Sequence, residues 1–253
     1  MSSRLSSGAG HAPTLAAATL LAAATCASNA HAYRPFDGTD ADVSELHELE
    51  LEIGPIGYYR AAETHYFVTG GVINFGLIPR VELVLQGFDF IPLDTQSGVN
   101  RFTDTGFFVK TVWRQGCLQD KDGPSLATEV GPLLPTVDDA KGFGAYVGGI
   151  VSTCLDGALI IHWNVEAQIL PQTFNLDLYG GAILEPPHSK YIIRPVAEFF
   201  VEHNFGGIQT YSALVGGIWQ VSDKLALDAA IREALIAGQN VSEVRAGFSW
   251  AIP

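Results

Sequence analysis

Ile161-His162-Trp163-Asn164-Val165-Glu166-Ala167-Gln168-Ile169 is the stretch that decides how this chain is built. Ile161, Trp163, Val165, Ala167 and Ile169 are apolar, and every residue between them is polar. A period of two places each set on its own face of a β-strand. The same rhythm opens the sequence that follows the N-terminal region, where Leu49, Leu51 and Ile53 alternate with Glu48, Glu50 and Glu52. It also closes the chain, where Val244, Ala246, Phe248 and Trp250 alternate with Glu243, Arg245, Gly247 and Ser249. Turn residues cut the runs apart at Gly54-Pro55, Ile78-Pro79, Lys121 to Pro124, Asp156-Gly157, Glu185 to Pro187 and Gly238 to Asn240. Gly, Pro, Asn and Asp each break a strand for a distinct backbone reason, so the punctuation is informative. About twelve strands result, beginning near Leu46, Thr64, Arg80, Thr105, Leu126, Gly142, Ala158, Thr173, Tyr191, Gln209, Leu225 and Val241. The Lys224–Gly238 run, helical by propensity, fits better as a strand, because Leu225, Leu227, Ala229 and Ile231 lie opposite Lys224, Asp228 and Arg232.

Composition narrows what such a chain can be. The 253 residues carry 14 Lys+Arg against 27 Asp+Glu, a formal net charge of −13. That balance opposes sequence-independent nucleic-acid binding, which rests on cations neutralising phosphates. Charged residues make up 16% where soluble domains average roughly 25%. An apolar content of 47% excludes disorder. Three Cys support neither a disulfide-rich scaffold nor a four-thiolate zinc site.

Residues 1–32 read as a signal peptide: Arg4, then the apolar Leu15–Thr25, then Ala30-His31-Ala32 as a small-x-small cleavage site. Beyond them no stretch has the ~20 mostly apolar residues of a membrane helix. An oxidising compartment permits Cys117 and Cys154 to pair. The topology places both on one rim, so a disulfide stands as an expectation beside two free thiols.

Alternating strands in an exported chain fit two folds. A soluble periplasmic β-protein would bury the apolar faces in a sandwich core. A transmembrane barrel would turn them to lipid and line its lumen with the polar faces. Strands of about ten residues, an even count and aromatics near strand ends (Tyr58, Phe90, Trp113, Phe199, Trp219, Trp250) favour an all-β antiparallel transmembrane barrel. Closure pairs every backbone group, which lipid demands.

The segment Tyr33-Arg34-Pro35-Phe36-Asp37-Gly38-Thr39-Asp40-Ala41-Asp42-Val43, with Glu48 to Gly54 after it, resembles the start of a family of outer-membrane transporters. That family is named for the meta-cleavage pathway of phenol degradation in Gram-negative bacteria. The closing stretch, through Arg194-Pro-Val-Ala-Glu198, Asp228-Ala-Ala-Ile-Arg232 and Arg245-Ala-Gly-Phe-Ser-Trp250, is similar to the same proteins. The resemblance implies an outer-membrane barrel that passes small, often hydrophobic compounds, and it brings no catalytic motif. Outer-membrane barrels commonly end on an aromatic residue read by the barrel-assembly machinery. Here Ala251-Ile252-Pro253 follow Trp250, while Phe248 and Trp250 keep the aromatic spacing.

The functional expectations follow. Residues 33–253 form one barrel domain in the outer membrane, with 33–44 as a periplasmic N-terminal segment. With both termini in the periplasm, the outer loops include Pro92–Arg101, Pro132–Lys141 and His203–Gly207, none long enough for a large plug. The lumen lining is expected to include Glu50, Glu82, Lys110, Arg114, His162, Glu166, Asp177, Arg194, Glu198, Asp228, Arg232 and Arg245. Such charges either guide a solute, as charged rings do in channels, or pair with one another and fill a narrow barrel. Glu166 and Arg194 are expected at a constriction. Catalysis is not expected: Asp138-Asp139 and His203 fall in loops, and Ser152 and His162 occupy adjacent strands without an acid at a suggestive spacing. No metal or cofactor motif is present. The partners expected are outer-membrane lipid, a small-molecule solute and the assembly machinery. The first reading is therefore passive passage through the lumen or by lateral escape through the wall, and the second a closed structural or adhesive barrel.

Overall fold

The computed structural model describes residues 34–94, 98–136, 141–187 and 192–252. The signal peptide, the Asp138-Asp139 pair and Pro253 lie outside the described residues.

Twelve strands follow one another: β1 (Leu49–Ala61), β2 (Thr64–Ile78), β3 (Val81–Pro92), β4 (Arg101–Arg114), β5 (Ser125–Leu133), β6 (Gly144–Leu155), β7 (Leu159–Ile169), β8 (Leu176–Glu185), β9 (Ile193–Asn204), β10 (Ile208–Ser222), β11 (Leu225–Ile236) and β12 (Gln239–Ile252). Each pairs antiparallel with its sequence neighbour, and β12 pairs with β1 from Leu49↔Ile252 to Ala61↔Val241, closing the barrel. The starts read from turn residues fall within four residues of these. No helix among the described residues is long and apolar enough to cross a membrane. The Lys224 run is strand, as its alternation requires. The C-terminal residues that depart from an aromatic ending complete the seam, since Ala251 pairs with Glu50.

The sandwich alternative fails on which face is covered. Trp163, Val165, Phe199, Val201, Val215 and Ile231 are all exposed on the outside, with Val165 at 69%. Their strand neighbours Asn164, Phe200 and Leu214 point inward and are buried. All four tryptophans face outward, and Trp113, Trp219 and Trp250 lie close to the strand ends at the terminus side. Amphipathic rings of this kind belong at a membrane–water boundary.

Register fixes which inward residues meet. One cross-strand row runs Glu82, Lys110, Glu129, Gly148, Glu166, Tyr179, Glu202 and Thr210, from β3 to β10. It climbs from the terminus end on β3 to the opposite rim on β10. A second row runs Ser152, His162, Ile183, Glu198, Leu214, Arg232, Glu243 and Tyr59. Each strand thus contributes its polar residues to the interior at a height set by strand tilt.

At the terminus end a short 3-10 turn, Cys117–Gln119, follows β4. Cys117 is bonded to Cys154 at the end of β6, with their Cα atoms 6.0 Å apart. Arg114 departs from the expected lining. It is exposed at the end of β4, past a register shift against β5, and donates from Nη2 to the Asp122 carbonyl at 3.2 Å.

The outward apolar surface makes a direct prediction. Val165→Arg places a charge at mid-height on the outer face, and such a change costs about 2–4 kcal/mol at a bilayer midplane. Denaturant unfolding from lipid vesicles is expected to show that loss. An unchanged midpoint would mean that this face does not meet lipid.

Candidate functional site: an inserted segment beneath a lumen cavity

Residues 34–44, read from the sequence as a periplasmic N-terminal segment, run inside the barrel. The backbone of this segment has no strand to pair with, so its amides need other acceptors, because a buried unpaired N–H is costly. Inward side chains of the wall supply them. The N–H of Arg34 donates to Glu52 Oε2 at 3.1 Å, and those of Asp37 and Gly38 donate to the two oxygens of Glu198 at 2.9 and 2.7 Å. Thr39 N–H donates to Asn164 Oδ1 at 3.1 Å, while Asn164 Nδ2 donates back to the Thr39 carbonyl at 2.8 Å. This reciprocal pair imitates a strand bridge with one side chain. Ala41 N–H donates to Ser152 Oγ at 3.0 Å and Ser44 N–H to Glu82 Oε2 at 2.7 Å.

Charge and packing complete the docking. Asp37 meets Arg245 at 2.9 Å and Arg232 at 3.3 Å, and Arg245 also donates to the Pro35 carbonyl at 2.7 Å. Arg34 pairs with Asp228 at 3.3 Å. Lys110 lies 3.6 Å from Asp40 and 3.4 Å from Glu82. Phe36 packs on Val196, Ile218 and Ala226. Val43 and Leu118 pack on the cluster of Ala41, Val112, Ala127 and Ile150. Gln119 Nε2 donates to the Ala41 carbonyl at 2.9 Å, so the disulfide-bonded turn clasps the segment from below. Burial acts to raise the Asp37 carboxyl, but Arg245 and Arg232 outweigh it and hold it below the usual carboxylate range. For Asp40 burial prevails over Lys110, and its carboxyl is pushed up to about 7.

The remaining expected residues divide into two groups. Glu82, Lys110, Glu166, Arg232 and Arg245 line a cavity of about 440 Å³ that has residues 34–39 as its floor. Glu50, His162, Asp177, Arg194, Glu198 and Asp228 are buried inside the barrel without lining that cavity. Arg194, expected at a mid-strand constriction, is the second residue of β9 at the terminus end. It is fully buried, with Nη1 2.7 Å from Glu185 Oε2.

Glu185 is also the acid that spacing did not reveal. Ser152 Oγ lies 2.8 Å from His162 Nδ1, and His162 Nε2 lies 3.1 Å from Glu185 Oε1. A Ser–His–Glu chain invites a nucleophilic reading. Here Ser152 has no exposed surface, and its oxygen already accepts the Ala41 amide. The chain orients a serine that holds the inserted segment. No group of three or more His, Cys, Asp or Glu among the described residues is arranged to hold a metal.

The closed ring of strands, the apolar outer surface and the polar interior can now be set beside known proteins. No family model matches the chain, and no curated protein does. Among solved structures, an outer-membrane channel from Pseudomonas putida F1 is similar over 86% of this chain and 100% of its own, with a TM-score of 0.58 and 8% identity. The KdgM porin is similar over 81% and 99%, with a TM-score of 0.51 and 10% identity, and its complex with disordered oligogalacturonate gives 0.52 and 8%. The fold is that of an outer-membrane β-barrel. At such identities the likeness concerns architecture alone. The resemblance of the two ends to the phenol meta-cleavage transporters rests on the residues quoted for it.

Glu198 is the acceptor on which the segment's docking turns. Glu198→Ala removes two charge-assisted bonds, each worth about 1.5–3 kcal/mol. Hydrogen exchange on the detergent-solubilised barrel should show the Asp37 and Gly38 amides losing at least tenfold protection while strand amides keep theirs. Retained protection at Asp37 and Gly38 would overturn this account of how the segment is held.

Proposed function

We propose that the protein is an outer-membrane route for the passive passage of small molecules with hydrophobic or aromatic bodies, inserted by the barrel-assembly machinery. The cavity above the inserted segment carries this reading. Its wall joins apolar and aromatic residues (Val68, Phe88, Phe90, Phe108, Phe200) to charged ones (Glu129, Glu166, Glu202). Cavities of 300–1,000 Å³ with mixed linings are the usual size for small-molecule sites. Two exits suit different solutes. A polar solute would pass the inserted segment, whose contacts are hydrogen bonds and ion pairs rather than covalent links. An apolar one would leave through the wall beside Pro132 on β5, which lacks a backbone donor to β4.

The closed structural or adhesive barrel is the second reading. The observation that favours it is the inserted segment itself, whose six docked amides and ion pairs fill the terminus half of the lumen.

Liposome swelling with small neutral solutes, together with planar-bilayer conductance, separates the two. Passage predicts swelling and a discrete conductance; neither would appear for the closed barrel. If conductance is present, Glu166→Gln on the cavity wall is expected to lower cation preference. Arg194→Gln should leave selectivity unchanged and instead cost about 3–5 kcal/mol of stability, because it removes the guanidinium that pairs with the buried Glu185 carboxylate. An unaltered preference in Glu166→Gln would remove Glu166 from the path.

A further inference from the structure

Ala41 is held from both sides at the terminus end of the lumen. Its N–H donates to Ser152 Oγ at 3.0 Å, and its carbonyl accepts from Gln119 Nε2 at 2.9 Å. The residue has no exposed surface, so both backbone groups need these partners. Gln119 lies two residues after Cys117, and Ser152 lies two residues before Cys154. The bond between the two sulfurs therefore ties together the two arms that grip the segment.

The arms differ in how they are fixed. Ser152 belongs to β6, whose ladders to β5 and β7 hold it in the wall. Gln119 belongs to a three-residue turn, and the disulfide is that turn's covalent link to β6. Within the turn Gln119 Oε1 accepts the Gly116 amide at 3.0 Å and the Ser125 hydroxyl at 2.8 Å. Its Nε2 also donates to Asp42 Oδ1 at 2.9 Å, and Leu118 packs beside Val43 on the cluster that contains Ala41. Farther along the segment the grip is independent of the turn, because the Asp37 and Gly38 amides go to Glu198 on β9.

We propose that the Cys117–Cys154 bond is a thiol-sensitive lock on the inserted segment. Its reduction frees residues 40–44 from the turn and widens the terminus end of the lumen, while the wall and the part held by Glu198 stay in place. The reductant is a dithiol, which supplies two electrons and two protons. A thiolate attacks one sulfur, the S–S bond breaks through a mixed disulfide, both cysteines become thiols and the dithiol leaves as its own disulfide. Both cysteines are only half-buried, so a small dithiol reaches them. As a control on what the route carries, this rests on the passage reading; as a lock on the segment it does not.

The test is hydrogen exchange on the folded, detergent-solubilised protein before and after dithiothreitol, with alkylation of Cys117 and Cys154 read by mass to confirm reduction. The Ala41 and Ser44 amides are expected to lose at least tenfold protection, while Asp37, Gly38 and the strand amides keep theirs. The Cys117→Ala/Cys154→Ala variant should match the reduced protein without any dithiol. Should it fail to fold, reduced wild-type protein carries the test, together with Gln119→Ala, which should expose Ala41 with the disulfide intact. Full protection of Ala41 in the reduced protein or in Gln119→Ala would overturn the proposal. So would a loss spread equally over Asp37, Gly38 and the strands, since reduction would then act on the whole barrel. Liposome swelling with small polar solutes is scored apart, and reduction is expected to speed it at least twofold. Loss of protection at Ala41 without faster swelling overturns passage beside the segment and leaves the lock standing. Faster swelling with Ala41 still protected overturns the lock alone.

Discussion

Every backbone amide in the wall must find its partner within the wall, because lipid offers none. This constraint governs the rest of the molecule. It requires the last strand to meet the first, and the Leu49↔Ile252 to Ala61↔Val241 seam meets that requirement. Closure then divides side chains by parity, with one set facing hydrocarbon and the other an enclosed space too narrow for free solvent. The acidic excess belongs to that second set. A chain-wide charge of −13 in a protein poor in charged residues looks at first like a solubility device. Within the barrel it serves as a supply of acceptors.

Carboxylates are acceptors without donors, and an inserted stretch of irregular backbone presents donors with nothing to pair them. The two needs match at Glu52, Glu82 and Glu198, which together take four amides of the segment. Sequence distance is immaterial here, since Gly38 and Glu198 are separated by 160 residues along the chain. The cations have a complementary task. Arg232 and Arg245 hold Asp37 of the segment, and Arg34 anchors the other side against Asp228. The lumen charges thus overlap in their tasks: Glu82, Lys110, Arg232 and Arg245 hold the segment and also line the cavity above it, beside Glu129, Glu166 and Glu202.

The barrel was legible in the sequence because a period of two is a local property. Leu49 to Ile53, Ile161 to Ile169 and Val244 to Trp250 each declare their faces without reference to any partner. The inserted segment was not legible for the opposite reason. Arg34 to Val43 has no period; what draws it inward is distributed over β1, β3, β4, β6, β7, β9, β11 and β12. Glu185 was hidden differently. Next to Pro186-Pro187 it reads as part of a turn, yet it ends β8 facing inward, where His162 and Arg194 both reach it. Arg114 departs because alternation is carried across the register shift between Val112 and Arg114, beyond which Arg114 pairs with Leu126 and is exposed. Asn164 lay in the most informative stretch of the chain, but a lone polar residue on a polar face gives no hint that it will bridge a third element.

Glycine explains why the space above the segment is not filled by the aromatics around it. Gly106 lies beneath the ring of Phe108, Gly148 beneath that of Tyr146 and Gly181 beneath that of Tyr179, each two residues away on the same inward face. A Cβ at any of the three would run into the ring, so the bare backbone lets each ring lie along the wall instead of across the lumen. The rings then present their faces to the cavity and shield the glycine backbone behind them. These three glycines therefore set the width of the lumen, and the depth available to a solute follows from where the chain carries no side chain at all.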